Sequence, residues 1–115
     1  AGEAITIGQP LHQGSDGKLY IANSNTQINV VGLAMESAAI GDNVEYGALG
    51  MLEIPDWTSL TGGEGANLQV GVKYFLQSDG TYQTALPVSG WLMQIGQGAT
   101  VTSLNIEIGS TPIKL

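Results

Sequence analysis

Apolar and polar positions alternate over most of the chain, which is the period of a β-strand with one buried face. The pattern predicts strand character at Ile5 and Ile7, from Lys18 to Ile21, Val30 to Glu36, Asn43 to Ala48 and Leu49 to Ile54. It resumes from Lys73 to Leu76, at Thr81-Tyr82, from Trp91 to Ile95 and from Val101 to Ile108. A short helix from Met35 to Ile40 competes with strand there, limited by Gly41. Two segments lack alternation. Ala22 to Asn29 is polar and uncharged and reads as an exposed loop, and Pro55 to Asn67 reads as a bridge ending in a flexible Gly62-Gly63-Glu64-Gly65. The expected core is Ile5, Ile7, Leu19, Ile21, Val31, Leu33, Val44, Val70, Val72, Leu92, Ile106 and Ile108.

One passage is written twice. Ile5-x-Ile7-Gly8-x-x-Leu11 followed by Ser15-Asp16-Gly17 returns as Leu68-x-Val70-Gly71-x-x-Tyr74 followed by Ser78-Asp79-Gly80, each position 63 residues later. Asp-Gly between strand-like runs is a hairpin signal, because both residues tolerate the positive φ of tight turns. A looser echo sets Gly32-Leu33-Ala34-Met35 against Gly90-Trp91-Leu92-Met93, now 58 residues apart. The expected fold is all-β: a small barrel or sandwich in a single domain over 1–115, built from two pseudo-repeated hairpin halves. The halves cover about 5–50 and 68–109 and are joined by a bridge over 51–67.

Composition narrows the function. Charged residues make up 11% of the chain against a usual ~25%, so Ser, Thr, Asn, Gln and Gly must cover the surface. Ten acids face three lysines and no arginine, for a net charge of −7. Phosphate-backbone binding needs clustered cations, so neither nucleic acid nor an anionic membrane is an expected partner. There is no cysteine, hence no disulfide or thiolate chemistry. No apolar run has the length of a membrane span, and no basic segment precedes an apolar stretch at the N-terminus, so neither an anchor nor a secretory leader is expected.

Candidate chemistry is sparse. His12 is the only histidine; Ser15 and Asp16 stand too close to it in sequence to identify a triad, and a zinc site would need more ligands. Glu36, Asp42, Glu45, Glu53 and Asp56 are the carboxylates from which a glycosidase pair would be drawn, and solvated surface acids are the simpler reading. Asp16 and Asp79 sit in turns but lack the spacing of a dedicated calcium loop. The glycine run has no following lysine, and Glu64 stands where a phosphate would bind. We therefore expect no catalytic residues, no cofactor, no metal and no enzyme. Trp57 and Leu60 remain as half-exposed anchors of an interface or a sugar, or as a cap on one end of the core.

Three stretches resemble the phage head-decoration, or capsid cement, proteins: Ala1 to Gln9, the Ser15 to Tyr20 hairpin, and Val31 to Val44 with its Val-Gly-Leu-Ala-x-x-Ser-Ala-Ala-x-Gly-Asp-x-Val pattern. The second half, from Leu68 to Leu76 and at the closing strand, follows the pattern more loosely, and Leu49 to Asn67 departs from it. The resemblance implies a structural protein of the virion exterior, made in the host cytoplasm. Its partner would be the major capsid protein, whose capsomer contacts it would stabilise as a homo-oligomer, a trimer being favoured. Contacts are expected from the N-terminal arm, Ala1, Gly2, Glu3 and Ala4, and from the bridge at Ile54, Pro55, Trp57 and Leu60. The alternative is a carbohydrate- or receptor-binding β-module of a tail fibre or adhesin, with Trp57, Trp91, Tyr46 and Tyr82 stacking on sugars.

Overall fold

The computed structural model describes residues 1–25, 29–87, 90–109 and 113–114. Eleven short strands follow one another: β1 Pro10–Gln13, β2 Leu19–Ile21, β3 Gly32–Ala34, β4 Tyr46–Gly47, β5 Leu49–Glu53, β6 Lys73–Leu76, β7 Tyr82–Gln83, β8 Trp91–Leu92, β9 Gln94–Gly98, β10 Ser103–Glu107 and β11 Ile113–Lys114. They form three antiparallel sheets, ordered β2-β1-β3-β4, β5-β10-β9-β6-β7 and β11-β8. The fold is all-β, a small sandwich, with no helix among the described residues. The short helix expected at Met35 to Ile40 does not form. Instead Ala38 exchanges backbone hydrogen bonds with Ile5, which draws the segment into sheet-like pairing.

The duplication in the sequence is a duplication of hydrogen-bond register. In the first hairpin His12 pairs with Tyr20 and Gln13 with Leu19; 63 residues on, Phe75 pairs with Gln83 and Leu76 with Tyr82. The turns repeat bond for bond. Gly14 N–H donates to the Lys18 carbonyl and Gly17 N–H to the Gly14 carbonyl, as Gln77 does to Thr81 and Gly80 to Gln77. Asp16 accepts from the Lys18 N–H and Asp79 from the Thr81 N–H, both at 3.0 Å. Gly17 and Gly80 hold φ of 80° and 85°. Upstream, Gln9 N–H donates to Thr6 and Val72 N–H to Gln69, closing equivalent turns before each strand.

The third strand of each half corrects the looser echo. Leu11 pairs with Gly32 and Tyr74 pairs with Gly96, so the partner of Gly32 in the repeat is Gly96 rather than Gly90. A Cβ on Gly32 would fall 2.6 Å from the Gly47 carbonyl oxygen, and one on Gly96 would fall 2.5 Å from that of Asn105. Both positions need glycine because the next strand's backbone lies against them. Leu33 pairs with Gly47 and Ala34 with Tyr46; in the second half Gln97 pairs with Asn105 and Gly98 with Leu104. β4 therefore corresponds to β10, and the sheet β2-β1-β3-β4 to β7-β6-β9-β10. A register shift between Tyr74 and Phe75 accommodates a bulge in the second copy.

The two halves share one core. Leu33 and Ala22 of the first half pack with Leu52, Trp57, Leu68, Tyr74, Leu76, Tyr82, Ile95, Leu104 and Ile106, while Ile5, Leu11 and Ala34 form a smaller cluster with Val31 and Val44. Trp57 and Tyr74 each meet Tyr82 edge-on, with centroids 6.3 and 6.4 Å apart, and the Tyr82 hydroxyl donates to the Gly8 carbonyl at 2.8 Å. Of the expected core, Ile5, Leu33 and Ile106 are buried. Ile7, Leu19, Ile21, Val31, Val44, Leu92 and Ile108 are half-buried, and Val70 and Val72 are exposed. The two valines flank Gly71 in the turn that precedes β6, so their alternation belongs to a bend rather than a strand. Nor is the loop from Ala22 exposed throughout. Ala22 and Ser24 are fully buried, and Ser24 bonds through its N–H to Gln77 and through its carbonyl to Trp91; residues 26–28 lie outside the described set.

The equivalent turn glycines sit in different surroundings. Gly17 is open, whereas a Cβ on Gly80 would press on Ile21 Cγ2 at 3.1 Å and on the Ala22 carbonyl at 3.2 Å. Gly17→Ala is expected to cost about 1 kcal/mol from positive φ alone, and Gly80→Ala about 1–3 kcal/mol more from overpacking. Denaturant unfolding of both variants checks this; equal losses would contradict it.

Candidate functional site

The bridge folds back as a plug. Asp56 accepts from the Thr58 N–H at 2.9 Å and from its hydroxyl at 2.6 Å, and these bonds hold its carboxyl below the ordinary range. That turn leads into one in which Leu60 N–H, Thr61 N–H and the Thr61 hydroxyl all donate to the Trp57 carbonyl. Trp57 in turn donates its N–H to Ala66 and its indole N–H to the Thr102 carbonyl. Its side chain has no exposure, and Leu60 and Ile54 keep only 5% and 8%. Of the bridge residues expected at an interface, Ile54, Trp57 and Leu60 thus belong to the core, and only Pro55 is exposed. The glycine run is not a free linker either, because the Glu64 carboxylate accepts from the Thr84 N–H and hydroxyl.

The N-terminal arm is also docked on its own domain. The Ala1 ammonium donates to the Asp42 carbonyl, the Ala1 carbonyl accepts from Gly41, and Gly2 N–H donates to the Leu19 carbonyl. Glu3 accepts from the Ile21 N–H at 3.0 Å, so the arm lies along β2. A Cβ on Gly2 would strike the Tyr20 ring, which explains glycine at the point of closest approach. Ala1, Gly2 and Glu3 are half-buried, and only Ala4 is exposed. The arm expected to reach a neighbour is thus drawn onto its own domain, Ala1 and Gly2 by backbone bonds and Glu3 by its carboxylate.

Where the arm meets the first hairpin lies an open cleft of about 600 Å³, lined by Glu3, His12, Gln13, Asp16 and Tyr20. The imidazole of His12 stacks on Tyr20, with centroids 5.8 Å apart at 26°. The Tyr20 hydroxyl donates to Asp16 at 2.6 Å; this bond lowers the carboxyl pKa and raises that of the phenol. Each acid is engaged with the protein itself, Glu3 with Ile21 and Asp16 with Tyr20 and Lys18. Among the described residues no hydrogen bond joins His12 to Ser15 or Asp16. In the second half Phe75 and Gln83 replace His12 and Tyr20, and the ring stack is not repeated.

The remaining acidic candidates are dispersed. Glu36, Asp42, Glu45, Glu53 and Asp56 are all exposed, and Glu53 accepts weakly from the Thr102 hydroxyl at 3.4 Å. Among the described residues no group of three or more His, Asp or Glu side chains could hold a metal ion. Of the aromatics proposed for sugar stacking, Trp57 and Tyr82 are buried, Trp91 is half-buried under the Lys114 ammonium at 5.4 Å, and Tyr46 is exposed. Burial raises the Tyr82 phenol well above its ordinary pKa.

One surface feature was not drawn from the sequence. β4 and β5 are a single run of chain that crosses from one sheet to the other at Ala48, and Tyr46, Leu49 and Met51 along it are 47%, 78% and 54% exposed. Leu52 and Ile54 carry the inward positions, so Leu49 and Met51 stand on the outer face opposite Glu107 and Asn105. The only signal in the sequence was alternation itself: an apolar residue in the outward phase of a strand whose inward phase is already apolar. No family model matches the chain, and no curated protein sequence matches it.

Trp57→Ala is expected to cost about 3–5 kcal/mol of unfolding free energy, the range for emptying a buried aromatic site. Urea denaturation checks it, and a loss below about 1 kcal/mol would contradict the core position.

Proposed function

We propose that this protein is a structural component of a virion, a decoration protein that binds the exterior of a phage capsid and stabilises contacts between capsomers through the major capsid protein. The observation that carries the reading is the exposed pair Leu49 and Met51 on the outer face of β5. Several of the acids are engaged with their own backbone: Asp16, Asp56 and Asp79 close their own turns, and Glu3 and Glu64 hold strand edges. Neighbouring large apolar side chains exposed on one strand face are a mark of protein contact. The resemblance of Ala1 to Gln9, Ser15 to Tyr20 and Val31 to Val44 to capsid cement proteins gives that contact its identity. A coat of many copies adds small interface energies at high effective concentration, which suits a rigid domain with little chemistry. Trimeric association fits a threefold site on such a shell. The sugar-binding alternative loses two of its four rings to the core, Trp57 and Tyr82.

Co-sedimentation with empty phage shells assembled from the major capsid protein alone tests the reading. The protein is expected to pellet with the shells, and Leu49→Ser with Met51→Ser to weaken binding by about 2 kcal/mol or more while the unfolding midpoint holds. Absence of shell binding by the unaltered protein, or binding indifferent to the double variant, would overturn it.

A further inference from the structure

The duplication exposes an empty place. In the second sheet β10 lies between β9 and β5, paired with β5 from Ser103↔Glu53 through Glu107↔Leu49. Its counterpart β4 has β3 on one side and, among the described residues, no strand on the other. The chain has one β5 and uses it in the second sheet. The C-terminal segment that follows β10, as β5 follows β4, ends in β11, which pairs with Trp91–Leu92 instead.

The vacant side of β4 is a hydrogen-bonding edge. Met35 N–H donates to the Glu45 carbonyl, so Glu45 and Gly47 turn their polar groups toward β3, and antiparallel alternation turns the N–H and C=O of Tyr46 outward. The opposite edges are covered. Along β2 the arm bonds to Leu19 and Glu3 takes the Ile21 N–H; beyond β7, Glu64 takes the Thr84 N–H. An uncovered edge of this kind is a template for strand addition.

Charge selects the occupant. Glu45, next to Tyr46, and Glu36, just past β3, are both exposed, while Lys18 lies by Asp42 and Val44. A second copy would bring another net charge of −7 to an acidic edge. We propose that the β4 edge receives an extended segment of a partner protein that carries Lys or Arg at alternating positions, completing the first sheet as β5 completes the second. Alternation matters because every second side chain of the added strand stands on the face that carries Glu45. The inference rests on the reading of the chain as a protein-binding module and adds where and what it binds.

The test uses the peptide acetyl-Thr-Lys-Val-Lys-Val-Lys-Thr-amide and its glutamate twin, with amide hydrogen exchange and NMR titration on the intact protein. The lysine peptide is expected to slow exchange at the Tyr46 amide about tenfold at saturation and the glutamate peptide to leave it unchanged. Tyr46→Pro removes the outward N–H without removing a bond to β3, and is expected to abolish the protection while thermal unfolding stays cooperative. Glu36→Lys with Glu45→Lys is expected to weaken the lysine peptide about fivefold or more, and decides the matter should the proline variant fail to fold. An unprotected Tyr46 amide, equal binding of the two peptides, or affinity unchanged in the Glu→Lys variant would overturn the proposal. So would protection without peptide that grows with protein concentration, since a second copy would then fill the edge. The peptide assay contains no shell, so this edge and the shell-binding reading can fail separately.

Discussion

The Tyr82 hydroxyl donates to the Gly8 carbonyl inside the core, and that bond spans 74 residues of chain to join the two halves. Neither group can find water there, so breaking the bond would leave a buried donor and a buried acceptor unpaired, at about 1–3 kcal/mol each. Around it the rings of Trp57 and Tyr74 fix the phenol edge-on, and the bridge exists to deliver Trp57 to that place. The Tyr74 hydroxyl accepts from the Gln69 N–H at 2.9 Å, which ties the entry of β6 to the same cluster.

The cluster also explains why two copies of one pattern became unlike. Tyr82 occupies the position that Leu19 holds in the first hairpin, and Gly80 the position of Gly17. The second hairpin turned inward and packs its turn against Ile21 and Ala22, while the first stayed at the surface with an open turn. A polar residue at the Tyr82 site would be stranded there; at the Leu19 site the same change would meet solvent on one side.

Local chemistry was the legible part of the chain. Ser-Asp-Gly turns specify their own hydrogen bonds within four residues, so the hairpins and their spacing of 63 could be read directly. The third strand could not, because Gly90-Trp91-Leu92-Met93 looks more like Gly32-Leu33-Ala34-Met35 than Gly96-Gln97-Gly98 does, and only pairing to β6 selects Gly96. Trp57 lacks a strand period around it, and its indole partner, Thr102, lies 45 residues away. The arm posed the same difficulty: nothing near Gly2 indicates that its partner is Leu19. The exposed run of Tyr46, Leu49 and Met51 was hidden for a different reason, since the point at which a strand changes sheets is a property of the assembled fold.

The central claim is that the halves form one cooperative unit through the Tyr82 cluster. Native-state hydrogen exchange at Ala34 and Gly98 tests it most directly. Their amides are equivalent in the repeat, each donating to the residue before its first strand, Gln9 or Val72. Both are expected to exchange by the same global opening, and Tyr82→Phe to lower both opening free energies by the same ~1–2 kcal/mol. Exchange of Ala34 through a cheaper opening that leaves Gly98 protected, or a Tyr82→Phe effect confined to Gly98, would contradict it.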